Sequence, residues 1–107
     1  MNILNSKLLI IKIGSSTLVD KTENFKKDWI NKLIDDVHFL IKKKIKVIIV
    51  TSGAIALGCK LLKKNKRKLK LKEHQAIAAV GQIELMNLFK KSFLRKKIKI
   101  AQILLTL

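Results

Sequence analysis

Lys12-Ile13-Gly14-Ser15-Ser16 and Thr51-Ser52-Gly53-Ala54-Ile55-Ala56-Leu57-Gly58 are the two stretches that decide how this chain reads. Each follows a run of branched apolar residues, Leu8-Leu9-Ile10-Ile11 before the first and Val47-Ile48-Ile49-Val50 before the second. Short apolar runs closed by a glycine turn suit strands buried in a parallel sheet. In open α/β sheets ligands bind beyond the carboxyl ends of the strands. A lysine and a glycine turn at one strand end, with a Ser-Gly turn opening a helix at the other, point to a site for phosphate and carboxylate.

Working outward, residues 7–13 read as a first strand and 14–24 as a polar turn, with Asn24 as the N-cap of a helix running to about Lys44. Phe25, Trp29, Leu33, Val37 and Leu40 recur at helical spacing, and Ile30, Ile34 and Ile41 widen the stripe. Trp29 reads as core. A second strand covers 46–51, and a short helix starts at Ser52 and ends near Leu62. Residues 60–72, with eight basic residues in thirteen, read as an exposed loop. A long helix over 73–95 carries Ile77, Val80, Leu85, Leu88 and Phe89 on its buried side. Gly81 inside that helix costs about 1 kcal/mol relative to alanine, which implies close packing there. Residues 98–105 read as a third strand. The order β-α-β-α-α-β implies an α/β fold with a parallel sheet and helices on both faces, a three-layer αβα sandwich. The chain closes on an apolar strand and Thr106-Leu107, which reads as the front part of a longer domain.

Composition narrows the classes. The 107 residues can form one small domain. Lys and Arg number 24 against 7 Asp and Glu, for a formal charge of +17. That excess suits an anionic partner, yet only Arg67 and Arg95 are arginines, and bidentate phosphate and base contacts favour Arg. The lysine excess therefore reads as compositional drift, with a lysine-rich nucleic-acid module on residues 60–72 as the alternative. The single cysteine, Cys59, rules out an intrachain disulfide and suits a reducing cytoplasm. No apolar run approaches the ~18 residues of a membrane span. His38 and His74 have no ligand partners near them in sequence and read as surface or core side chains rather than a metal site. Asp35 and Asp36 read as solvated.

The chemistry of the two turns follows from their residue types. Lys12 is either a solvated strand-end lysine or a compact charge able to neutralise a phosphoryl group in transfer. Gly14 lets backbone approach phosphate oxygens, and Ser15 and Ser16 add donors. No Gly-Lys-Ser/Thr follows Gly14, so this is not a Walker A loop. Ser52 either caps the helix that follows or bonds a ligand carboxylate. Gly53 and Gly58 leave room for a ligand or for tight packing.

Four blocks together carry a resemblance. They are the two opening stretches, then Gln75 with Ala78-Ala79-Val80-Gly81-Gln82 and Leu85-Met86, then Gln102-Ile103-Leu104-Leu105-Thr106. In order and spacing they resemble the amino acid kinase family, and within it the members that phosphorylate glutamate. Members acting on acetylglutamate or aspartate usually carry two glycines after the first-strand lysine, where this chain has Gly14-Ser15. The chain departs from the family at His74, where Lys is usual, and at Leu107, where a basic residue is common.

The resemblance implies transfer of the ATP γ-phosphate to the γ-carboxylate of L-glutamate, the opening step of proline biosynthesis, with Mg2+ accompanying the nucleotide. It implies that Lys12 contacts ATP phosphates and stabilises the transferring group. It also implies that Gly14 and Ser15 line the phosphate turn, and that Ser52 with the Gly53 and Ala54 backbone holds glutamate. It assigns no metal ligand to these residues. In the family, an Asp and an Asn that complete the glutamate site, a second lysine and the adenine pocket come from beyond the four blocks. The expected protein is cytoplasmic, with no membrane partner, and a homo-oligomer is compatible with the longer members. Another amino acid kinase, or an inactive remnant, stays as the alternative reading.

Overall fold

A computed structural model describes residues 3–19, 25–64 and 70–103. After a single 3-10 turn at Ile3–Asn5 come strand β1 (Leu8–Ile13), helix α1 (Ser15–Leu18), helix α2 (Lys27–Lys42), strand β2 (Lys46–Thr51), helix α3 (Ala54–Leu62) and helix α4 (Leu71–Leu94). The α/β class and the parallel sheet are as expected. β1 and β2 pair in parallel without stagger, from Leu8 opposite Lys46 to Ile13 opposite Thr51.

Alternation along the strands sorts their side chains. Leu9, Ile11, Ile13, Val47, Ile49 and Thr51 face the helices, and Ile13 is buried. Against this face pack Ile30, Ile34 and Val37 of α2, Leu57 of α3, and Leu85, Phe89 and Phe93 of α4, with Leu18 and Val19 from the first turn. Phe25 and Phe89 meet edge to face at 5.9 Å between centroids, a favoured aromatic geometry. The other face is bare: Leu8, Ile10, Ile48 and Val50 are 49, 60, 47 and 40% exposed. The described residues therefore form one helical layer on one sheet face, and a second layer is not among them.

Several local expectations change. Residues 98–103 form no strand, and the described sheet has two strands only. Ile98 donates its amide to the Phe93 carbonyl (3.1 Å), which ties the segment to the end of α4. Its β-forming residues need a neighbouring ladder that they do not find here. Residues 104 and 105 of that expected strand lie outside the described residues, as does the Asn24 cap. Trp29 is 39% exposed, because α2 centres its contact on Ile30, Ile34 and Val37, and Trp29 falls at the margin of that stripe. Val80 is 38% exposed for the same reason: the buried ridge of α4 runs Ile77, Gly81, Leu85, Phe89 and Phe93, and Val80 stands one position off it. The expected polar turn at 14–24 contains α1, whose Leu18 is fully buried. Lys60 belongs to α3, and Leu71 and Lys72 to α4, so both ends of the basic run are helical; its residues 65–69, with Lys66, Arg67 and Lys68, lie outside the described residues.

Three helices end alike. Lys44, Lys63 and Lys97 take positive φ (63°, 54° and 57°). In each case the next residue donates its amide five residues back: Ile45 to Leu40 at 3.1 Å, Lys64 to Cys59 at 2.9 Å, and Ile98 to Phe93 at 3.1 Å. These are Schellman caps, in which glycine is the usual left-handed residue. A lysine there costs about 1 kcal/mol or more in backbone strain, and its charge near the helix carboxyl end returns about 0.3–1 kcal/mol.

The end of α4 is stapled to α2. Arg95 Nη2 lies 3.1 Å from Asp35 Oδ1 and 3.1 Å from the Asn31 carbonyl oxygen, and Lys96 Nζ lies 3.4 Å from Asp35 Oδ1. Partial desolvation opposes ionisation of Asp35, but the hydrogen bonds and charges of Arg95 and Lys96 outweigh it and hold the carboxyl below its ordinary 3.8. The polar side of α2 predicts a solvated Asp35. It is exposed, but it is also the joint between two helices.

Two outcomes follow from these contacts. Lys97→Gly, like Lys44→Gly, is expected to raise stability by roughly 0.5–1 kcal/mol, the strain relieved less the charge lost, read as a higher urea midpoint with unchanged slope. A lowered folded-state pKa means that the Asp35 contribution is present above the ordinary value and is lost as pH falls through the folded one. The melting-temperature gap between the natural chain and Asp35→Asn is therefore expected to be constant above about pH 5 and to close below about pH 4.

Candidate functional site

The parallel register carries both candidate turns to one edge of the sheet. Ile13 ends β1 opposite Thr51 at the end of β2. The Ser52 amide then donates to the Ile13 carbonyl at 3.4 Å, extending the pairing one step past the strands. Gly14-Ser15 and Ser52-Gly53-Ala54 thus leave adjacent strand ends side by side.

Lys12 stands one residue before the end of β1, opposite Val50 and exposed, on the bare face of the sheet. Gly14 and Ser52 are the next exposed positions beyond the two strand ends. Among the described residues, the Lys12 ammonium and the Ser52 hydroxyl have no hydrogen-bond partner. Ser15 is half-buried at the start of α1, and Thr17 and Val19 donate their amides to the Gly14 and Ser15 carbonyls at 3.1 and 2.9 Å. Thr51 Oγ1 lies 3.5 Å from the Ser52 carbonyl oxygen, where it donates across the turn.

Ser52 is not the cap of α3. That place belongs to Gly53, whose φ of 157° and ψ of −6° suit only a residue without a Cβ. The hydroxyl is thereby left for other partners. The amides of Ala54, Ile55 and Ala56 precede the first α3 bond, from the Leu57 amide to the Gly53 carbonyl at 3.1 Å, and have no acceptor within the helix. With the helix dipole they form an edge that favours an anion.

Gly14 differs from Gly53. Its φ of −75° and ψ of 158° suit any residue, and a Cβ built there meets nothing within 4 Å. Neither backbone strain nor packing calls for glycine at position 14. The space beside it is open to the front of the turn.

Two residues that shape this edge had no functional role in the sequence reading. Leu18, fully buried, lies 3.5 Å from where a Gly53 Cβ would stand, so the first turn props the second from below. The apolar pair Leu18-Val19 in an otherwise polar stretch was the available signal. Gly81 of α4 lies against the Ala54 carbonyl and the Gly58 amide. Its signal was its place between Ile77 and Leu85 at four-residue spacing.

The six site residues include no carboxylate, and among the described residues no group of three or more His, Cys, Asp or Glu side chains is placed to hold a metal ion. His38 and His74 are half-buried and apart from this edge in the fold's element order. No described helix is long and apolar enough to cross a membrane.

Comparison with known proteins agrees with the geometry. The sequence profile of the amino acid kinase family matches residues 7–107. The chain is 51% identical over 107 residues to a glutamate 5-kinase of Pelagibacter ubique (strain HTCC1062), covering all of this chain and 29% of that protein. It is 46% identical over 99 residues to glutamate 5-kinase 1 of Mesorhizobium japonicum, covering 92% of this chain and 26% of the relative. It is 45% identical over 105 residues to a glutamate 5-kinase of Bartonella henselae, covering 98% and 28%. The chain thus spans between a quarter and three-tenths of the length of these relatives. A match along nearly the whole chain, on a parallel sheet whose two turns open at one edge, makes this chain a member of the amino acid kinase family.

Proposed function

We propose that this chain supplies the phosphate- and carboxylate-facing edge of a kinase that moves the γ-phosphate of ATP to the γ-carboxylate of L-glutamate. In that reaction a γ-carboxylate oxygen attacks the γ-phosphorus. The bond from that phosphorus to the β–γ bridging oxygen breaks, ADP leaves, and γ-glutamyl phosphate forms, the entry to proline biosynthesis. Transfer of this kind depends on positioning and on neutralising charge on the phosphoryl oxygens. Lys12 supplies a cation on a flexible stem. Gly14 and Ser15 let the phosphate chain lie close to backbone. Ser52, with the Gly53 and Ala54 backbone at the start of α3, receives glutamate. Magnesium accompanies ATP as a phosphate complex, since octahedral Mg2+ is commonly held through phosphates and water and the six residues offer it no carboxylate.

The observation that carries this reading is the Ser52 amide on the Ile13 carbonyl at 3.4 Å, which sets the two turns side by side. The empty space in front of Gly14 supports it, because neither strain nor packing calls for glycine there. The names of the relatives support glutamate as the acceptor.

Amide spectra of the 107-residue chain test the assignment. Mg-ATP is expected to move Gly14, Ser15 and Ser16, and L-glutamate to move Ser52, Gly53 and Ala54. Lys12→Ala is expected to weaken Mg-ATP binding about tenfold or more, the value of a charge-assisted bond, and Ser52→Ala to weaken glutamate about fivefold. Shifts confined to other residues, or equal responses to aspartate and acetylglutamate, overturn the reading. A glutamyl hydroxamate assay with the same acids checks acceptor choice. Gly14→Ala gives a separate outcome: stability unchanged or up to about 1 kcal/mol higher, since the backbone tolerates alanine, with nucleotide binding impaired.

A further inference from the structure

We propose that Gly81 of α4 is a positioning residue for the glutamate-binding turn, a role that rests on reading Ser52–Ala54 as that turn. Gly81 sits on the ridge Ile77, Gly81, Leu85, which faces inward along α4. A Cβ at this position would fall on the Ala54 carbonyl oxygen, 2.6 Å from the Ala54 carbonyl carbon and 2.7 Å from the Gly58 nitrogen. All are backbone atoms, which cannot rotate aside as a side chain can. The absence of a side chain therefore lets the backbone of α4 touch the first turn of α3 at the residue that completes the turn.

On its other side, Gly53 rests 3.5 Å from Leu18 Cδ1, measured to the place its own Cβ would take. Ser52-Gly53-Ala54 is thus held between a fully buried leucine from the phosphate side and a glycine from α4. Lateral motion of α4 must move the Ala54 carbonyl and with it the free amides at the head of α3. Gly14, by contrast, has open space around it. A side chain at 81 should therefore misplace the carboxylate turn more than the phosphate turn. Misplacement of about 1 Å is enough to cost large factors in binding or rate.

Gly58 provides the control. A Cβ there would collide with the Ile77 carbonyl and stand 2.6 Å from Ile77 Cγ2, one turn further along α3. Its nearest collisions outside α3 are all with Ile77, so it strains the same crossing from a different point.

The test compares the natural 107-residue chain with Gly81→Ala and Gly58→Ala by thermal melting, amide spectra, and titration with L-glutamate and Mg-ATP. Gly81→Ala is expected to shift the Ser52, Gly53 and Ala54 amides without ligand. It is also expected to weaken glutamate about tenfold, while Mg-ATP affinity changes less than about threefold. Gly58→Ala, at a comparable loss of melting temperature, is expected to move those amides and the glutamate affinity less. Equal effects of the two variants, or turn amides unmoved by Gly81→Ala, overturn the proposal. If Gly81→Ala does not fold, Ile77→Ala loosens the crossing without a collision and takes its place. Displaced turn amides then support the proposal, and unmoved ones overturn it. Failure of L-glutamate to shift any residue of the natural chain counts against the glutamate reading itself, and the ligand-free amide positions still decide the role of Gly81.

Discussion

The unstaggered parallel pairing of β1 with β2 is the constraint on which the rest of the structure depends. Side chains alternate along a strand, so a slip of one residue would exchange the buried and exposed sets. It would move Ile13 off the core and turn Lys12 inward. The same slip would separate the two strand ends and break the Ser52-to-Ile13 bond that draws the turns together. Core and candidate site therefore depend on one register. What pins it is the apolar face formed by Ile11, Ile13, Val47 and Ile49, which share one core with residues of three helices.

A second constraint acts through glycine. α3 and α4 approach until backbone meets backbone, with Gly58 facing Ile77 and Gly81 facing Ala54. A glycine in a helix interior costs about 1 kcal/mol relative to alanine, and the close crossing offsets that cost by burying Ile77, Leu57 and Leu85. Elsewhere the chain does the reverse. Three helix ends use lysine in the left-handed conformation where glycine would be less strained. Its few glycines are concentrated where two backbones touch or where the site lies.

The bare sheet face bears on the site as much as on stability. Parallel sheets are usually covered on both sides, and here Leu8, Ile10, Ile48 and Val50 keep about half of their surface in water. Covering each would gain on the order of 1 kcal/mol. Lys12 stands on this same face, at its carboxyl edge. The cation of the candidate site therefore belongs to the open side of the sheet, whereas the head of α3 belongs to the edge above it.

Much of this was legible in the residues themselves. The two strands, the long helices and the two turns appear as apolar runs, helical periods and Ser-Gly breaks, because these signals are local: they depend on neighbours in sequence. The family resemblance rested on the same local blocks. Other features were not legible, for one physical reason. Whether Trp29 or Ile30 lies in the core depends on where α4 and β2 sit, and the helical stripe was wide enough to allow either. Whether Ile98–Ile103 joins a sheet depends on finding an edge to pair with, and its own propensity cannot supply one. The cap on α3 passed from Ser52 to Gly53 because the chain must turn sharply out of β2. Leu18 and Gly81 acquire meaning only from what lies across from them, Gly53 and Ala54, far away in sequence. The sequence by itself determined the elements and the chemistry available at their ends. Tertiary packing decided which faces close, which stay open, and which residues hold the two turns in place, because burial and close approach are properties of pairs of elements and not of any one of them.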